Sequence, residues 1–181
     1  MIVFITGGCK NGKTHFALEC AIKLAQNNDK YYLATMIPFD EEDEKRIKNH
    51  QEERENLGFK TLEIGTNIGN IHLANRGTVL LDSITSLLLN ETFLLEKLEN
   101  NNMGYDVAKK VCNDIDKLIS TCDNLVIVSD FIYSDGIIYN EYTDTFMHNL
   151  ASIDKHIAKI SDVLIERISG VSHFIKGSFE L

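Results

Sequence analysis

Proline is nearly absent: Pro38 is the only one among 181 residues, which argues against long stiff linkers between separate domains. Basic residues are scarce as well. Eighteen Lys and Arg stand against 27 Asp and Glu, for a formal net charge of −9. That balance disfavours nucleic acid as a partner, because binding to a phosphate backbone draws on clustered Lys and Arg. The four cysteines, Cys9, Cys20, Cys112 and Cys122, have no CxxC spacing. Four reduced thiols are expected rather than a bridged, exported scaffold. No apolar run is long enough for a membrane span, and the first one leads into a loop rather than a cleavage site. These absences leave a cytoplasmic chain with one domain over 1–181, long enough to bury a core without staples.

What is present is an alternation of short apolar runs and amphipathic stretches. Ile2–Thr6, Thr78–Asp82 and Leu125–Ser129 are nearly continuous in Val, Ile and Leu, as strands buried on both faces must be. Tyr31–Thr35, Lys60–Ile64 and Val163–Ile168 are weaker strand candidates. Thr14–Gln26, Asp106–Cys122 and Asp144–Ile160 place apolar residues at three-to-four spacing and predict helices. Strands alternating with helices imply an α/β fold with a mostly parallel central sheet flanked by helices. The stretch Asn100–Asn102 predicts a loop.

The first strand opens into Gly7-Gly8-Cys9-Lys10-Asn11-Gly12-Lys13-Thr14, which fits G-x-x-x-x-G-K-[ST] with strand before and helix after. Glycines let backbone N–H groups turn toward phosphate oxygens, and a helix N-terminus adds its dipole. Lys13 is placed to reach β- and γ-phosphates, and the Thr14 hydroxyl to bind Mg2+. A nucleoside triphosphate is the expected occupant. Such a loop usually works with an acid at the end of another strand. Asp82 ends VLLD and fills that role, with capping of the following helix as its alternative; Asp130, after LVIVS, is a rival for the same metal.

Between Asp40 and Asn56 the only apolar residue is Ile47. Acids crowd the start, with Asp40 a candidate N-cap, and the stretch predicts a polar projecting helix over about 40–56. Such a helix cannot sit deep in a core and reads as a solvated arm, a lid or an interface element. Arg46, His50 and Arg54 lie four apart and share one face. Two arginines around an imidazole suit an anion, and a His of ordinary pKa, about 6.5, is mostly neutral near pH 7, as a nucleophile must be. An idle surface histidine is the plainer alternative. His72, His148, His156 and His173 show no metal-ligand spacing. The aromatic stretch Tyr133–Tyr142 could cover a flat ligand, form a surface hairpin or touch another subunit.

With these segments in hand, the chain resembles the bifunctional adenosylcobinamide kinase / adenosylcobinamide-phosphate guanylyltransferases. The resemblance rests on ITGGCKNGKT, YLAT, R-I-K-N-H with a following Arg54, F-K-T-L-E, VLLDSIT with Asn90, and the late Ala158 and Asp162. It covers almost the whole chain, and the R-I-x-x-H-x-x-x-R segment is its discriminating piece. It implies a RecA-like P-loop fold, a homotrimer, and two reactions on a corrinoid acceptor, adenosylcobinamide. One moves the γ-phosphoryl of ATP or GTP to a hydroxyl. In the other a histidine, matched here by His50, takes GMP from GTP and passes it to the new phosphate. The resemblance also implies nucleotide contacts from Thr35, Glu63 and Asp82. Departures fall in the second half: Asp130-Phe131-Ile132-Tyr133 replaces N-E-V-G, Phe146-Met147-His148 replaces F-R-D, and Asp154 stands for an Asn. Phe59 takes the place of a Trp. A small-molecule kinase without guanylyl transfer, or a non-catalytic nucleotide-binding regulator, remains compatible with the residues.

Overall fold

Seven strands form one sheet in the order β3-β2-β4-β5-β1-β6-β7. The computed structural model describes residues 1–38, 51, 54–98, 106–134 and 136–180, with backbone alone for 95–98. The strands are β1 Ile2–Gly7, β2 Asp29–Ala34, β3 Phe59–Glu63, β4 Gly77–Asp82, β5 Asn124–Val128, β6 Val163–Ile168 and β7 Val171–Lys176. All pairings are parallel except β6 with β7. Helices α1 Lys13–Ala25, α2 Ile84–Leu98, α3 Val107–Thr121 and α4 Glu141–Ile160 connect them.

The apolar runs are continuous because each strand feeds two cores. Val3, Ile5, Leu80, Val126 and Val128 face one cluster, where α1 contributes Phe16, Ala17, Cys20 and Ala21. Phe4, Val79, Leu81, Leu125 and Ile127 face the other, with Leu87, Ile115, Leu118, Leu150, Ile153 and Ile157 from α2, α3 and α4. Period-2 alternation thus points successive side chains at two dry faces, and neither face admits a polar residue at mid-strand. Burial of side chains of this size stabilises by roughly 1.5–3 kcal/mol each.

The six expected strands are present, with ends displaced by a residue or so. α4 begins at Glu141, three residues before the expected Asp144, because the Asn140 side chain caps it by accepting from Thr143 N at 2.9 Å. β7 was not expected. It folds back on β6 through Ser169 and Gly170, both at positive φ (48° and 82°), the backbone that a two-residue hairpin requires. The stretch Tyr133–Tyr142 holds no strand among its described residues, so a hairpin there is excluded for them. The four cysteines are unpaired.

The expected helix over 40–56 lies mostly outside the described residues, as do Arg46, His50 and the loop Asn100–Asn102. Residues 51 and 54–56 are helical. That end is not a solvated arm: Arg54 is 7% exposed, its guanidinium carbon 3.9 Å from the centre of the Tyr32 ring. An arginine can be buried without apolar neighbours of its own when an aromatic face receives it. Among the described residues, no helix is long and apolar enough to cross a membrane.

Candidate functional site

Strand order decides what meets. β5 lies between β4 and β1, so the C-terminal ends of all three open side by side. The ladder runs on past β5, with Ser129 N donating to Ile5 O at 3.0 Å and Phe131 N to Gly7 O at 3.0 Å. Asp130 is thereby held against the start of the Gly7–Thr14 loop.

Gly7 and Gly12 are glycines for steric reasons. Gly7 has φ 148°, and a Cβ there would overlap the Arg167 carbonyl oxygen on β6; Gly12 has φ 75° at the N-cap of α1. Lys10 also adopts a left-handed φ of 58°. Asn11 accepts from Ser169 N at 3.2 Å, tying the loop to the hairpin turn. Cys9 and Lys10 are exposed, Gly8 half-exposed.

Lys13 is 7% exposed. Its ammonium donates to Gly8 O at 2.7 Å and pairs with Asp130 Oδ1 at 2.7 Å. Thr14 Oγ1 donates to Asp82 Oδ2 at 3.0 Å, and the Tyr32 hydroxyl donates to the same oxygen at 2.6 Å. Asp82 is half-buried by surface area but closely ringed by protein. Its desolvation raises its pKa, against the lowering effect of the Tyr32 and Thr14 hydrogen bonds; Asp130 pushes it further up. The capping alternative for Asp82 does not hold: Ser83 Oγ accepts from Ser86 N at 3.4 Å and takes that place. The two rival acids therefore divide, Asp82 toward the Thr14 hydroxyl and Asp130 toward the Lys13 ammonium.

Two expected residues stand apart from the loop. Thr35 is fully buried; its hydroxyl donates to Ser83 O at 2.8 Å and accepts from Ser83 N at 2.8 Å, joining the ends of β2 and β4. Glu63 is exposed at the end of edge strand β3, with β2, β4 and β5 between it and β1. Asn90 donates to Thr35 O at 2.7 Å and Gly65 O at 3.1 Å, a clamp between two strand ends.

Three residues escaped the sequence reading. Tyr32 carries Asp82, and the signal was a tyrosine inside a strand, whose hydroxyl must find a partner once buried. Arg167 lies over the Phe16 ring at 4.5 Å beside Gly12. Asp154, 4% exposed on α4, accepts from the Tyr133 hydroxyl at 3.0 Å. Burial pushes its carboxyl up to about 6, opposed by the nearby Ser129 and Tyr133 hydroxyls. Ser129 lies close enough to favour the charged form, yet its Oγ completes no well-formed hydrogen bond. Beyond Asp130 the surface sinks into a depression of about 480 Å³, lined in part by Phe131, Ile132, Tyr139, Phe146 and Met147.

Comparison with solved structures finds a helicase ATPase domain, with TM-score 0.51 and 13% identity over 91% of this chain and 68% of that one. Flagellar accessory protein FlaH from Methanocaldococcus jannaschii is similar at TM-score 0.51 and 12% identity, over 99% of this chain and 81% of that one. At such identities the likeness shows the fold: a P-loop ATPase core. Comparison with curated protein sequences found no match. The sequence model of one family matches residues 3–175, nearly the full length. The chain belongs to the cobinamide kinase / cobinamide phosphate guanyltransferase family, nucleotide-dependent enzymes of cobalamin biosynthesis.

Proposed function

We propose that the chain phosphorylates adenosylcobinamide with ATP or GTP, and then carries GMP from GTP on His50 to the new phosphate, giving adenosylcobinamide-GDP. Gly7–Thr14 cradles the triphosphate, with Lys13 on its β- and γ-oxygens. The Thr14 hydroxyl and Asp82 carboxylate, 3.0 Å apart, are a pair of hard oxygen donors that fits Mg2+. Bound there, the ion would neutralise charge on the phosphate tail.

The observation that carries the second reaction is the run Arg54–Tyr32–Asp82–Thr14. Arg54 stacks on Tyr32, Tyr32 donates to Asp82, and Asp82 accepts from Thr14. His50 is four residues from Arg54, so its Cα lies within about 14 Å of a residue anchored to the site. In the reaction an imidazole nitrogen bonds to the α-phosphorus as pyrophosphate leaves. A phosphate oxygen of the acceptor then displaces the imidazole. Arg46 shares the expected face with His50 and is placed to steady the nucleotide. A cytoplasmic homotrimer completes the reading.

The test uses GTP labelled at the α-phosphorus, with Mg2+. Label bound to the protein, stable to base, labile to acid and missing from His50→Ala is the expected result. Absence of any adduct, with γ-phosphoryl transfer to cobinamide intact, would leave a kinase alone.

A further inference from the structure

We propose that Asp130 is the general base that takes the proton from the acceptor hydroxyl during γ-phosphoryl transfer, and that the depression beginning at Phe131 receives the acceptor's apolar body. This rests on the reading of the chain as a cobinamide kinase.

The placement comes from three measurements. Asp130 Oδ1 is 2.7 Å from Lys13 Nζ, the group that meets the γ-phosphate in a loop of this kind. A carboxylate that touches the lysine reaches whatever approaches the same phosphoryl group from outside. Its side chain is 29% exposed, open to an incoming hydroxyl, whereas Asp154 is sealed at 4% and Asp82 is engaged by two hydroxyls. Its backbone is fixed on one side by Thr85 Oγ1, which accepts from Asp130 N at 3.1 Å. On the other side the next residue is fixed, Phe131 N donating to Gly7 O. A base set on a pinned backbone keeps its aim through turnover.

The depression is continuous with that carboxylate. Phe131 begins it, stacked edge-on against Tyr133 at 4.8 Å, and Phe146 and Met147 come from the first turns of α4. Its lining is apolar and aromatic beside a net-acidic phosphoryl site, so it suits a large ring system carrying one hydroxyl and repels a second polyphosphate. In the transfer, the acceptor O–H gives its proton to the Asp130 carboxylate and its oxygen bonds to the γ-phosphorus. The bond from that phosphorus to the bridging oxygen breaks, and the electron pair leaves with the nucleoside diphosphate. Lys13, freed from Asp130 by the phosphates, holds the departing charge.

The charged and titratable groups that face Asp130 are Lys13 on α1, Asp82 on β4 and Asp154 on α4. The experiment therefore measures kcat against pH for phosphorylation of cobinamide by the full chain and by Asp130→Asn, Asp130→Glu, Asp154→Asn and Phe146→Ala. Asparagine still accepts from Lys13 but cannot take a proton. Asp130→Asn is expected to lower kcat by a factor of about 100 or more and to abolish the rise of rate with pH. Asp130→Glu restores that rise, Asp154→Asn keeps it, and Phe146→Ala raises KM for cobinamide more than it lowers kcat. A Mg2+ requirement shifted to higher concentration in Asp130→Asn, with the pH rise intact, would make Asp130 a metal-site residue and overturn the assignment. So would a rate within threefold of the parent. If the parent chain itself transfers no γ-phosphoryl group to cobinamide, the kinase reading falls and Asp130's role falls with it.

Discussion

Replacing Asp154 with asparagine removes a titrating group from the inside of the protein and leaves its outline unchanged. Asp154 Oδ2 accepts from Tyr133, and among the described residues Oδ1 has no partner. Burial lifts the carboxyl from an ordinary 3.8 to about 6. The folded protein thus binds this proton more tightly than the unfolded chain does. Stability from that proton is complete below the ordinary value and is lost as pH rises through about 6. At 1.36 kcal/mol per decade, the loss by about pH 8 comes to about 3 kcal/mol. The asparagine would carry no such penalty, and its oxygen still receives the Tyr133 hydroxyl. Urea unfolding of both proteins at about pH 4 and about pH 8 measures the difference. The variant's advantage is expected to be about 3 kcal/mol greater at the higher pH. A difference independent of pH would refute the reasoning, and so would a parent protein that gains stability across that interval.

Gly7→Ala is expected to cost about 2–4 kcal/mol in urea unfolding, because a Cβ there meets the Arg167 carbonyl. Gly170→Ala, with nothing within 4 Å of its Cβ, should cost about 1 kcal/mol, and equal losses at the two sites would contradict the steric account. Arg54→Ala removes a buried guanidinium from the Tyr32 face and should destabilise by about 2 kcal/mol, with Arg54→Lys recovering only part. Thermal unfolding with and without Mg2+ and GTP should also show a smaller ligand-induced rise in Tm for Arg54→Ala, since Tyr32 carries Asp82; an undiminished rise would separate the two residues.

The strands could be read because burial on both faces leaves no room for polar residues, and Val163–Ile168 matched to the residue. The Gly7–Thr14 loop was legible for a related reason: its glycines answer backbone geometry, which few other residues can satisfy. What stayed hidden depended on strand order. Nothing local in YYLAT says that Tyr32 ends beside Asp82, since that contact needs β2 and β4 paired in register, with Ala34 opposite Asp82. The same holds for Asp130, whose choice of Lys13 over Thr14 follows from β5 lying between β4 and β1. The polar helix misled through composition, because a single cation can be interred on an aromatic ring while its neighbours remain wet. β7 was missed although Ser169-Gly170 between two apolar runs is a hairpin signal.

The Tyr32 hydroxyl makes the phosphate loop and the segment that ends at Arg54 thermodynamic partners. Whatever tightens Asp82 against Thr14 also works on the guanidinium across the ring, and linkage requires the influence to run equally in the other direction. A clamp placed on Arg54 by a neighbouring subunit or a small molecule would therefore retune nucleotide affinity from a distance, without touching the cradle itself.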